Sequence, residues 1–284
     1  MTGTLPQIES ALQGAVQDLR PVSGGDAASA WRVRMENGTL YFAKTVSGNS
    51  AFEMEALGLQ ELRCQGGVRV PDVIAVQPAL LILEWIEHST PTPDYQTRLG
   101  EQLATTHLSR THDHYGFDQD HVIGATPQKN QPWVPAESGA WAGFWWTHRL
   151  EPMFRRLNSP DLIKKGLALS DKLPFLLGDP DEPASLLHGD LWSGNIAADS
   201  QGQPVMFDPA PYYGYREAEL GMTRLFGGFT RDFYQAYTRT APLPEGWEDR
   251  LDLYTLYHVL NHAVLFGAPY HQQADRLLSL YETS

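Results

Sequence analysis

Two short words in the second half of the chain constrain it most: Leu187-His188-Gly189-Asp190-Leu191-Trp192-Ser193-Gly194-Asn195 and Val205-Met206-Phe207-Asp208-Pro209-Ala210. In the first, an apolar run opens into a polar loop with a carboxylate and a carboxamide five positions apart. In the second, an apolar strand ends on another carboxylate. Phosphoryl transfer from ATP needs a carboxylate to orient an attacking hydroxyl and accept its proton. It also needs two oxygen ligands that hold Mg²⁺ against the phosphates. Asp190 fits the first task, and Asn195 and Asp208 fit the second.

Composition narrows the setting. The chain has 284 residues, 42% of them hydrophobic, which is enough for two lobes and a substantial core. A formal charge of −13 argues against a nucleic-acid partner, which would need a basic stripe. Acidity suits a cationic or amine-bearing substrate as well as plain surface solvation. The single cysteine, Cys64, leaves no internal disulfide and fits a reducing compartment. Met1 to Pro6 lacks the basic and apolar regions of a leader, and runs such as Ala79 to Leu83 are too short for a bilayer. A soluble, cytoplasmic protein without membrane attachment is expected.

The order of elements agrees with the loop chemistry. Ile8, Leu12 and Val16 predict a helix from Pro6 to Asp18, followed by a turn at Ser23-Gly24-Gly25-Asp26. Strands are predicted over Ala30 to Met35 and Leu40 to Val46, joined by the hairpin signal Asn37-Gly38. A helix over Ser50 to Cys64 and strands over Pro71 to Val76 and Ala79 to Leu83 complete the order of a kinase amino-terminal lobe. Beyond Trp85 the chain reads as helical: Arg98 to Thr111, Glu137 to Leu157, Pro160 to Leu177, Glu217 to Phe226, Thr230 to Thr240, Glu248 to Phe266 and His271 to Tyr281. Gly116 to Pro135 reads as an ordered loop, and short strands at Ile196 to Ala198 and Val205 to Phe207 flank the Asn195 loop. The expected fold is α+β, two-lobed and protein-kinase-like, with a β-rich lobe over residues 1–86 and a helical lobe over 87–284.

Lys44 ends the alternating strand Tyr41-Phe42-Ala43-Lys44, where in such a fold it reaches the α- and β-phosphates and is held by a helix carboxylate. Glu53 and Glu55 are both available. Glu55 is favoured because Leu59 and Leu62 give its helix an apolar face. Gly24 and Gly25 are candidates for the loop over the phosphates, and the backbone of Glu84, Trp85 and Ile86 for the hinge that binds adenine. Trp192 stands where a protein kinase has its catalytic-loop lysine, no Phe follows Asp208, and only positions 209–216 separate Asp208 from Glu217. A switchable protein kinase is therefore not expected, whereas a small-molecule kinase fits. The ten histidines carry no metal claim. His258 and His262 share a helical face without a base between them, and His107, His112, His114 and His121 lack ligand-type spacing. His188 reads as a brace for the catalytic loop. Core packing is the favoured reading of Trp141, Trp145 and Trp146 over sugar stacking.

Longer words then become specific: Gly24-Gly25-Asp26 before Ala30-Trp31-Arg32-Val33, Phe52-Glu53-Met54-Glu55, Val68-Arg69-Val70-Pro71, and Ile123-Gly124-Ala125-Thr126-Pro127-Gln128 with Asn130. Pro211-Tyr212-Tyr213-Gly214-Tyr215-Arg216-Glu217, Leu225-Phe226-Gly227-Gly228-Phe229 and Leu256 to His262 follow. With the Asp190 loop, these words resemble the fructosamine kinase (ketosamine-3-kinase) family almost end to end. The resemblance implies ATP- and Mg²⁺-dependent phosphorylation of the sugar 3-hydroxyl of a ketosamine, free or protein-bound, which frees the amine as a deglycation repair. It carries over Asp190 as base, Asn195 and Asp208 as magnesium ligands, and Lys44 with Glu55 as the phosphate-positioning pair. Trp192, Tyr213 and Glu217 become candidates for the sugar and amine pocket. A helix N-terminal carboxylate favoured by the macrodipole is the alternative for Glu217.

Two departures stand out. Many eukaryotic members place a Cys in the phosphate loop where this chain has Asp26, so no thiol control is expected there. Oxidant-reversible loss of activity abolished by Cys64→Ser would overturn that expectation. Tyr215 replaces the family's His, which bears on substrate choice. Two rivals remain: a kinase of another amino-alcohol or an aminoglycoside, and a nucleotide-binding protein without catalysis. Turnover of an antibiotic or choline would favour the first, and ATP binding with no transfer the second.

Overall fold

A computed structural model describes residues 3–22, 28–46, 52–134, 139–179 and 182–282. Gly24, Gly25 and Asp26 lie outside the described residues. The amino-terminal part is a five-stranded antiparallel sheet of β1 (Val16–Val22), β2 (Ser29–Met35), β3 (Leu40–Thr45), β4 (Val73–Gln77) and β5 (Leu80–Glu84), in spatial order β1-β2-β3-β5-β4. Strand side chains alternate between faces, and β5 shows it plainly. Leu80 and Ile82 pack with Ile8, Val33, Met35 and Ala43 on one face, while Leu81 and Leu83 join the main core on the other. A strand buried on both faces needs an unbroken apolar run, and Leu80 to Leu83 provides one. Asn37 and Gly38 close the β2–β3 turn, with Gly38 at φ 85°.

Helix and strand compete near the amino terminus. The predicted helix through Asp18 stops at Leu12, because Gln13 turns left-handed and donates its N–H to the Glu9 carbonyl. Val16 then begins β1, where Leu19 pairs with Val33 and Pro21 with Trp31. The four-residue apolar spacing carries over the break, but pairing along the sheet edge decides the backbone. Pro21 is tolerated there because an edge strand leaves alternate N–H groups unpaired.

The sheet ends at Glu84, and from Tyr95 onward helices dominate. Helix Trp247–Phe266 runs through the middle of this part, buried on nearly every side, against helices Arg216–Thr223 and Ala268–Ser279. Trp141 and Trp145 are fully buried among Tyr115, Tyr254 and Tyr257, in keeping with core packing. The expected helix Glu137–Leu157 is interrupted: Ala140–Trp145 passes through a π turn, Trp146–Leu150, into Glu151–Leu157. The wider turn brings the fully buried Arg149 guanidinium within 4.0 Å of the Tyr212 ring centre. Gly116 to Pro135, read as loop, contains the hairpin His121–Ile123 with Thr126–Gln128.

Small sheets carry the functional words. Ala184–Leu187 is the centre of a three-stranded sheet between Tyr212–Gly214 and Thr111–His112, and Ile196–Ala198 pairs with Pro204–Met206. Each holds one end of the loop between Leu187 and Ile196. Among the described residues no helix is long and apolar enough to cross a membrane.

Candidate active site

Three segments of the chain meet around one ammonium group. β3 delivers Lys44, whose register partners Ala30 and Leu81 fix it in the sheet. Helix Phe52–Leu62 delivers Glu55 in its first turn, where the macrodipole favours a carboxylate. Lys44 Nζ lies 2.8 Å from Glu55 Oε1 and also contacts Asp208 Oδ1, reached from the far side of the chain. Glu53 points to solvent, so the fold selects Glu55 of the two candidates. Two carboxylates share one buried cation. Burial and the Asp208 charge outweigh Lys44 and push Glu55 up to about 7. The same pair of carboxylates raises Lys44 against the opposing effect of its burial.

The loop bearing Asp190 is held by main-chain contacts. Gly189 adopts φ 82°, and a Cβ there would stand 2.0 Å from the Ala210 carbonyl oxygen, so only glycine fits. The buried His188 imidazole donates from Nε2 to the Phe207 carbonyl at 2.9 Å, and the Ala210 N–H donates to the His188 carbonyl at 2.8 Å. These bonds pin the Asp190 loop to the Asp208 strand end and make His188 a brace. Asp208 itself has φ 59°, an uncommon conformation for a residue with a side chain and one that clusters at functional sites. Asn195 Nδ2 donates to the Asp190 carbonyl at 2.8 Å and to its Oδ2 at 3.3 Å. Among the described residues no hydrogen bond takes up the amide oxygen of Asn195.

Charge around Asp190 is one-sided. Burial, then the Asp208 and Glu219 carboxylates, push its pKa well above the usual carboxylate range, opposed by the Asn195 hydrogen bond. A carboxyl so placed is a strong base once ionised. The oxygens of Asp208 and Asn195 are hard donors of the kind Mg²⁺ takes, so these side chains fit that ion.

Sequence reasoning missed the residues beneath this loop. Glu219, 1% exposed, accepts the N–H of His188 and, at 3.1 Å, that of Gly189. Gln128 Nε2 donates to the Ala210 carbonyl at 3.0 Å, and its oxygen accepts from Tyr257 Oη at 2.9 Å. Asn130 Nδ2 reaches the Pro211 carbonyl at 3.4 Å, and its oxygen accepts from Arg149 at 2.9 Å. The word Thr126 to Asn130 was the visible signal, but nothing local told that its amides face carbonyls eighty residues away.

The remaining candidates separate. Trp192 is partly buried, folds its indole over Gly194, and meets the Phe226 ring at 5.3 Å. Phe226 in turn contacts His262, whose Nδ1 donates to the His258 carbonyl at 2.8 Å. Glu217 lies in the first turn of the helix Arg216–Thr223. It is 1% exposed, and Arg250 grips both its oxygens, at 2.6 and 2.8 Å. Arg250 competes with any substrate amine for this carboxylate, and the first-turn position agrees with the alternative of a helix N-terminal carboxylate. Tyr213 packs its ring on His112 and Phe117, at 5.2 and 6.1 Å. None of its described contacts is with Lys44, Asp190, Asn195 or Asp208. Glu84, Trp85 and Ile86 join the sheet to the helical part. The Glu84 side chain accepts from Arg69, which also donates to Asp199 at 3.2 Å, and Trp85 lies under the Arg32 guanidinium at 5.5 Å.

Comparison with known proteins places this geometry. A family model described as fructosamine kinase matches residues 4–283. A Synechocystis protein named as a ketoamine kinase is 39% identical over 93% of this chain and 90% of its own length. A chloroplastic protein-ribulosamine 3-kinase of Oryza sativa subsp. indica is 39% identical over 92% of this chain and 77% of its own. The crystal structure of a Thermobifida fusca protein assigned as a fructosamine-3-kinase superposes with a TM-score of 0.90 at 31% identity, covering all of both chains. An aminoglycoside phosphotransferase shares the fold at 15% identity, with a TM-score of 0.67 over 99% of each chain.

Proposed function

The chain belongs to the fructosamine kinase family, and from that premise we propose that this kinase moves the γ-phosphoryl group of ATP to the 3-hydroxyl of a ketosamine. The observation that carries the reading is the meeting of Lys44, Glu55 and Asp208 beside a loop that presents Asp190 and Asn195 together. Residues 1–86 form the nucleotide lobe and 87–284 the catalytic lobe, with ATP in the cleft between them. Gly24 and Gly25 cover the phosphates, and the backbone of Glu84, Trp85 and Ile86 receives the adenine.

Asp190 accepts a hydrogen bond from the sugar hydroxyl, aims its oxygen at the γ-phosphorus, and takes the proton as the new P–O bond forms. The bond from the γ-phosphorus to the β,γ-bridging oxygen breaks, and ADP leaves. Lys44, kept straight by Glu55, neutralises charge on the α- and β-phosphates. Asn195 and Asp208 would hold Mg²⁺, which would offset phosphate charge. Asn195 also fixes the Asp190 backbone through its amide nitrogen, so one side chain serves metal and base together. Trp192 offers an aromatic face to the sugar at the mouth of the loop. The single thiol and the metabolite-like substrate suit the cytoplasm.

The test is an ATP- and Mg²⁺-dependent phosphorylation assay on ribulosyl-lysine, fructosyl-lysine and unglycated lysine, with Asp190→Asn as control. Turnover of a ketosamine by the wild type alone is expected. Turnover of an aminoglycoside or choline with no ketosamine turnover would overturn the substrate class, and normal turnover in Asp190→Asn would overturn the assigned base.

A further inference from the structure

Sequence spacing gives no metal site among the histidines, yet the fold brings two of them together away from the Asp190 loop. Thr111–His112 is the edge strand of the three-stranded sheet, and the chain bends directly after it. The His112 and His114 rings stand 3.8 Å apart between centres. The Asp113 carboxylate reaches back between them, with Oδ1 2.7 Å from His112 Nδ1 and 3.6 Å from His114 Nδ1. One ligand atom from each residue lies within 4.8 Å of the others, the one such group of three among the described residues.

We propose that His112, Asp113 and His114 bind a borderline divalent transition metal, of the class of zinc or nickel, with solvent completing the coordination shell. Two imidazoles and a carboxylate are the donors such ions take, whereas Mg²⁺ prefers oxygen alone. Zinc bonds of about 2.0–2.2 Å put tetrahedral donors roughly 3.3 Å apart, so closing the site requires only modest side-chain rotation. The Asp113 side chain is 93% exposed and that of His112 43%, so little packing resists the rotation. His114 is held more firmly, at 14% exposure, with its ring edge-on to Tyr213. The metal replaces one local hydrogen bond, from the Asp113 N–H to His112 Nδ1 at 2.9 Å. Tyr213 sits beside Tyr212, which pairs with Leu187 at the root of the catalytic loop. A bound ion therefore ties down the edge of the sheet that carries that loop, and stabilises the folded chain by mass action.

Calorimetric titration of the tag-free, metal-stripped full chain with zinc chloride, in excess Mg²⁺, tests this. One zinc per chain is expected. Binding should weaken at least about tenfold in His112→Ala/His114→Ala, a loss at least as large as that from removing residues that merely support a ligand. It should be unchanged in Cys64→Ser. Zinc should raise the thermal midpoint only when both histidines are present. Undiminished zinc binding by the double variant, no binding by the wild type, or displacement of zinc by Mg²⁺ would each overturn the site.

Discussion

Glu219 offers the sharpest perturbation of the proposed base, because its hydrogen bonds reach Asp190 through two peptide groups and its charge adds to the field on Asp190. Its oxygens accept the N–H of His188 and Gly189. His107 Nε2, 3.6 Å away, belongs to an imidazole that burial pushes down toward the neutral form. Backbone donors therefore carry most of the load of stabilising this buried carboxylate. Glu219→Gln keeps the shape but turns one acceptor oxygen into an NH₂ that must face a backbone N–H. A hydrogen bond to a charged group contributes about 1.5–3 kcal/mol, and a stranded buried donor costs about 1–3 kcal/mol. Removing a buried charge returns part of that loss. A net cost of about 2 kcal/mol lowers the thermal midpoint by about 4 °C in a chain of this size. The freed peptide immediately precedes Asp190, and misplacement by about 1 Å can cost about 10²-fold in rate. Steady-state kinetics should show kcat falling by roughly that factor while KM for ATP holds, since no described contact links Glu219 to Lys44. Glu219 is also one of the charges raising Asp190, after burial and Asp208. The base works ionised, so activity falls as pH drops through its pKa. Neutralising Glu219 should move the acid limb of kcat/KM to lower pH. A variant with wild-type kcat and an unmoved acid limb would refute the positioning argument, whatever its midpoint.

Three further outcomes follow from the same geometry. Asp190→Asn removes a carboxylate that burial and two like charges oppose; its folded pKa is raised, so the ionised form costs stability above the unfolded pKa. Calorimetry at neutral pH should show a higher midpoint with turnover reduced about 10²–10⁴-fold, and a lower midpoint would contradict the charge reading. Lys44→Met leaves Glu55 and Asp208 facing each other and should cost about 3–5 kcal/mol by urea unfolding. Adding Glu55→Gln should recover a clear part of it, and strict additivity would show that the pair does not interact. Gly189→Ala forces a Cβ against the Ala210 carbonyl at 2.0 Å, so soluble protein with normal kcat would disprove the close approach.

By itself the sequence determined what depends on local pattern. Alternation through Tyr41 to Lys44 set the strand and the face, and the apolar run Leu80 to Leu83 set a strand buried on both sides. The Asp190–Asn195 spacing set the loop, because a short turn leaves little freedom in where two side chains five apart can meet. Helix Trp247–Phe266 was legible from length and apolar content, its start missed by one residue. Local pattern failed where helix and strand signals overlapped at Val16, and where a π turn changed the phase of an otherwise continuous helix. The apolar face at Leu59 and Leu62 favoured Glu55 over Glu53, but only the tertiary structure brought the second carboxylate, Asp208, to Lys44 from the other half of the chain. It gave Glu217 to Arg250, Glu219 to the peptides before Asp190, and Gln128 to Ala210. Each is a polar group buried with a partner tens of residues away. Burial makes such partners obligatory, but which partner arrives is settled by how the helices and strands pack, and no single stretch of sequence records that.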